Sequence, residues 1–72
     1  MKLYFENSYG ERRIIAEPKT EEDAIKEMYK FCDDRNFKVY YTRSWQDEKG
    51  FKVFDVGSWS EFFFLSYDKN DN

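Results

Sequence analysis

Histidine is absent from the chain and cysteine occurs once. Without histidine the commonest general base is missing, and with one thiol neither a disulfide framework nor a Cys/His zinc site can form within a single chain. Proline occurs once and glycine three times, so chain breaks are few: Pro18 ends a strand pattern, because it cannot donate to a ladder. No apolar run approaches the length needed to span a membrane. Met1-Lys2-Leu3 leads directly into a strand pattern, without the long apolar stretch of a signal peptide, and the expected compartment is the cytoplasm. Excess positive charge is missing too. At a net charge of −3 and a pI near 4.9, a general affinity for nucleic acid backbone is not expected.

What the chain does have is aromatic rings, 22% of its 72 residues. So short a domain sits near the lower limit of what folds without staples, and large rings supply apolar area that aliphatic residues would not. The charges are interspersed rather than blocked, as on an ordinary solvated surface.

A helix is predicted over residues 20–35. Thr20 is a good N-cap, since its hydroxyl accepts from a first-turn N–H that has no helical partner. Asp23 stands where a capping-box acid would, and Glu21, Glu22 and Asp23 place negative charge at the positive end of the helix dipole. Ala24, Ile25, Met28, Phe31 and Cys32 follow the spacing of one buried stripe. Asn36 is a left-handed stop. A helix of this length is marginal alone in water, so the stripe must pack on a sheet.

Strand patterns flank the helix. Residues 2–7 and 12–17 alternate and are joined by the turn formers Asn7-Ser8-Tyr9-Gly10. Residues 37–45 form a third candidate, linked by the polar loop of residues 46–50 to a fourth at 51–56. Gly57-Ser58-Trp59-Ser60 interrupts before residues 61–67, where Phe62-Phe63-Phe64-Leu65 marks a strand that is central or covered on both sides. The expected fold is α+β: a single antiparallel sheet of four to five strands with one helix on one face, in the order β-β-α-β-β(-β). Residues 1–67 make the domain and residues 68–72 a polar tail. The face away from the helix would carry some of Tyr4, Ile15, Tyr40, Phe54, Phe62 and Phe64; a one-residue slip in register exchanges the two faces.

That second face is the leading functional candidate. Large apolar patches mark partner or ligand sites, and Tyr and Trp are favoured hot-spot residues; the alternative is that the rings only enlarge a small core. The expected contacts are Tyr40, Trp45, Phe54 and Trp59, with Asp47 and Glu48 on the rim. Self-association into a homodimer through the same face is the simplest variant, and a homo-oligomeric structural protein a further reading. Aromatics interleaved with Arg12, Arg13, Lys38, Arg43 and Lys52 offer a different one, a stacking platform for single-stranded nucleic acid, although no aromatic RNP-type motif is present. The acidic groups at residues 21–23, 33–34 and 47–48 can imitate spaced phosphates, but dipole and turn positions account for them. Catalysis has little to stand on. Cys32 lies on the buried stripe, Gly57-Ser58-Trp59-Ser60 lacks the flanking glycine of a nucleophile elbow, and residues 68–72 open like a calcium loop that lacks its Gly and Glu. Asp55, a carboxylate within an apolar strand, is expected to be a satisfied buried group. No cofactor or metal is expected.

Three stretches together resemble small uncharacterised proteins of phages and integrated elements of Gram-positive bacteria: Lys2-Leu3-Tyr4-Phe5-Glu6-Asn7 with Gly10, Tyr40-Tyr41-Thr42-Arg43-Ser44-Trp45, and Asp55-Val56-Gly57-Ser58 followed by Glu61-Phe62-Phe63. The resemblance covers most of the chain and includes no catalytic motif. It implies a mobile-element accessory protein that binds a host protein in the host cytoplasm, for instance as an inhibitor of CRISPR or other defence machinery. The expectation is therefore a non-enzymatic protein-binding module.

Overall fold

In the computed structural model, which describes residues 1–36, 39, 42–57 and 60–67, the chain forms one helix and five strands. In order these are β1 (Lys2–Glu6), β2 (Arg12–Ala16), α1 (Glu21–Asp34), β3 (Arg43–Gln46), β4 (Lys52–Asp55) and β5 (Phe62–Ser66). The strands make one antiparallel sheet in the order β2-β1-β5-β4-β3. The two hairpins thus flank the C-terminal strand, which closes the sheet by pairing with both. This central place explains why β5 is apolar on both faces.

The helix begins as its sequence requires. Thr20 accepts from the Asp23 backbone N–H at 3.1 Å, and Asn36 takes a positive φ of 55° just beyond the C-cap Arg35. Because β2 and β3 lie at opposite edges, the connection between them must cross the sheet, and α1 is that crossing. Its Ala24, Met28 and Cys32 are fully buried against Leu3, Phe5, Phe54, Phe63 and Leu65. Phe31 lies 4.8 Å from Phe5 and 5.7 Å from Phe63, and Phe5 lies 5.2 Å from Phe63, so three rings close one end of this core. Ile25 and Val39 pack at its margin.

Two expectations about faces are corrected. Phe54 and Ile15 pack on the helix side, not on the opposite face. Phe54 pairs with Phe63 and Ser44, so it shares the face of the fully buried Phe63, and it is 2% exposed; Val53 takes the other face. Both residues are apolar, so the parity of β4 was not readable from them. Ile15 keeps the parity of Arg13, which pairs with Phe5 on the helix side. A bulge follows, Leu3 pairing with Ala16 but Tyr4 with Ile14, and it turns Ala16 to the helix side as well.

Candidate interaction surface

The sheet face turned away from the helix is assembled by cross-strand registry. Ile14, Tyr4, Phe64, Val53 and Trp45 form one row across all five strands. Beside it Arg12 pairs with Glu6, Glu6 with Phe62, and Arg43 with Asp55. The two halves of this face differ in what remains open.

In the first half Phe64 is only 8% exposed although no helix covers it. The Arg12 guanidinium lies 3.6 Å from its ring centroid, held there by Glu6, which accepts from Nε at 3.1 Å and Nη2 at 3.0 Å. Phe51 meets Phe64 edge-on at 6.2 Å and Tyr4 edge-on at 6.0 Å. These contacts form a small second core roofed by a cation.

In the second half Trp45 meets Phe62 edge-on at 6.5 Å and stays 42% exposed. Arg43 lies 5.6 Å from the Trp45 ring and donates to the Asp55 carboxylate at 2.9 Å. Asp55 is buried and also accepts from the Gly57 backbone N–H at 2.9 Å. The odd carboxylate in the apolar strand is therefore a satisfied structural group, as expected. Every residue of β3 is exposed, and among the described residues no strand lies on its outer side. A groove of about 470 Å³ runs along it, lined by Ser44, Gln46, Lys52 and Tyr67 together with Trp45.

Of the predicted contacts, the structure places Trp45 on the open half and buries Phe54 in the helix-side core, out of a partner's reach. Asp47 is held by the β3–β4 turn: its Oδ1 accepts from the backbone N–H groups of Lys49 and Phe51, each at 2.9 Å. Its main role is thus to shape the loop, while Glu48 beside it is exposed. Tyr40, Trp59 and the stacking candidate Lys38 lie outside the described residues. Phe62 and Phe51 carry the surface as much as any predicted contact. Alternation makes Phe62 a second-face candidate, but the sequence offers no sign that it stands next to Trp45.

The remaining titratable groups are structural. Burial, helped by the charge of Glu61, pushes the Cys32 thiol up from its ordinary range, so it is a packed thiol rather than a thiolate. Glu21, the first residue of α1, accepts from Lys52 Nζ and from the Tyr67 hydroxyl at 2.7 Å. The Lys52 bond, followed by that of Tyr67, lowers its carboxyl pKa. Burial, then the bond to Glu21, pushes the Tyr67 phenol up to about 12. This triad ties the helix start to β4 and the end of β5. Among the described residues no group of acids and cysteine is arranged to hold a metal, and no helix is long and apolar enough to cross a membrane.

No protein-family model, curated protein or solved structure matches the chain.

Proposed function

We propose that this chain is a non-enzymatic protein-binding accessory protein of the mobile-element kind, which acts by occupying a surface of a host protein. The single observation that carries the reading is Trp45. It is a large ring left 42% exposed on an edge strand, beside an arginine, on a face whose other described rings are buried or half-buried. Trp and Arg are the side chains that dominate binding energy where a partner excludes water from them. The strand itself adds to the argument. The opposite edge, β2, is blunted by its bulge, by Arg12 and Arg13 and by the Pro18 that follows, all devices that discourage strand addition. β3 pairs in unbroken register with β4 and carries no bulge or proline, so a partner's extended segment can add to it with Trp45 as the anchor.

A single-stranded nucleic acid platform is less well supported. Arg12 and Arg43, the two arginines of this face among the described residues, are each paired with a carboxylate, and phosphate would have to displace Glu6 or Asp55 to reach them.

The test is retention of host-lysate proteins by the wild type beside Trp45→Ala, with the variant's fold confirmed by circular dichroism. A protein held by the wild type and lost from the folded variant supports the reading and names the target. Equal retention by both removes Trp45 as the anchor. If nothing is retained and light scattering shows a dimer that Trp45→Ala dissolves, the face is a seam between copies of the chain.

A further inference from the structure

The C-terminal end of α1 and the β1–β2 turn enclose a cleft of about 530 Å³, within the size range of small-ligand sites. Phe5 forms part of its lining, and three arginines, Arg12, Arg13 and Arg35, reach it from the strand on one side and the helix end on the other. With Glu11 and Glu61 also on the lining, the cleft carries one net positive charge in a chain of net charge −3.

The three arginines are not equivalent. Arg12 is committed to Glu6 and to the Phe64 ring. Arg35 stacks on Phe31 at 4.5 Å and makes no ion pair among the described residues. Stacking fixes the face of a guanidinium and leaves its N–H edge directed outward. Arg13 is exposed and likewise has no carboxylate partner among the described residues. Two acids also line the cleft. Glu11 takes the Asn7 side-chain amide at 2.9 Å, and among the described residues neither Glu11 nor Glu61 makes an ion pair with Arg13 or Arg35. Two guanidinium forks that make no ion pair among the described residues, on one concavity, match the geometry of an oxyanion with more than one charged oxygen.

From this we infer that the cleft binds a multiply charged oxyanion, a phosphate monoester or a dicarboxylate, between Arg13 and Arg35. Phe5 and Arg13 on its lining belong to the helix side of the sheet, the face opposite to that of Trp45, and the inference is independent of the protein-binding reading. The guanidinium forks hold the oxyanion, Arg35 resting on the Phe31 ring, and Phe5 gives the cleft an apolar wall.

The experiment titrates the full chain with phenyl phosphate and, separately, with succinate, at constant ionic strength set by sodium chloride, followed by amide chemical shifts. Wild type, Arg13→Gln, Arg35→Gln and the double variant are compared. Saturable shifts confined to the β1–β2 turn and the end of α1 are expected, with Kd raised about tenfold or more in each single variant and saturation lost in the double. Which of the two probes saturates tells phosphate from carboxylate. Arg35→Lys keeps the charge while removing the fork and is expected to weaken binding severalfold, which guards against a Gln variant that merely disturbs the Phe31 stack. Linear, unsaturated shifts with both probes, or saturation that survives in the folded double variant, would overturn the assignment.

Discussion

The two hairpins of this protein are built on the same turn and end in different surfaces. In each, an Asx residue closes the loop. Asn7 Oδ1 accepts from the N–H groups of Tyr9 and Glu11 at 2.9 and 3.0 Å, and Asp47 Oδ1 from those of Lys49 and Phe51. Three residues on, a glycine at φ 82° or 88° donates back to the Asx carbonyl, the type I turn with a left-handed third residue that suits a short hairpin. In each, the outer strand begins or ends near an arginine that pairs with a carboxylate of the inner strand and lies near an aromatic ring. Yet Arg12 roofs Phe64 at 3.6 Å, whereas Arg43 stands 5.6 Å from Trp45 with its side chain 65% exposed. The difference teaches that one motif can either complete a small core or leave a ring ready for a partner. Which happens depends on the distance between cation and ring and on the extra cover that Phe51 supplies on the first side.

The sharpest break in this comparison is between the two rings. Phe64→Ala is expected to cost about 3–5 kcal/mol, since it empties a site sealed by Arg12 and Phe51. Trp45→Ala should cost less than about 1 kcal/mol, because it loses little beyond the edge contact with Phe62. Urea unfolding of the two variants beside the wild type measures both, and equal losses would mean the halves are packed alike.

The shared turn predicts the opposite, a symmetry. Gly10→Ala and Gly50→Ala meet no atom within 4 Å of the added Cβ, so each should lose only the about 1–2 kcal/mol of a left-handed L-residue. Thermal melts that separate the two by more than the experimental error would show that the turns are not equivalent. The arginines should differ in kind. Arg12→Ala is expected to destabilise by roughly 1 kcal/mol and to raise binding of the dye ANS as Phe64 is uncovered. Arg43→Ala should leave ANS binding unchanged, because Trp45 is exposed already.

The smallest effect concerns the helix start, which belongs to neither hairpin. Tyr67 is raised from 10 to about 12, so the folded state holds the phenolic proton more tightly than the unfolded chain does. Its contribution is fully present below pH 10 and is lost as pH rises towards about 12. Glu21, whose carboxyl is lowered, contributes above the ordinary carboxylate range and loses its contribution as pH falls through it. Melting temperatures of the wild type should therefore decline from pH 10 to about 12, and those of Tyr67→Phe should decline less.

Sequence alone determined the local pieces. The N-cap Thr20, the stripe Ala24-Met28-Cys32, the left-handed Asn36, both hairpin turns and the apolar β5 were legible because each depends on neighbours a few residues away: capping bonds, helical period, glycine backbone freedom. The class of fold followed from their order. Tertiary structure decided the rest. That β5 would lie between the hairpins, that Phe54 would face the helix while Val53 faces away, that Ile15 would face the helix, and that Asp47 would serve its turn are outcomes of strand order and register. Those are set by the summed packing of partners distant in the chain, where a slip of one residue exchanges the faces without changing any local preference. The same holds for Arg12 closing over Phe64 and for Arg13 and Arg35 meeting at one cleft. Side chains far apart in sequence become neighbours only when the helix crosses from one edge of the sheet to the other.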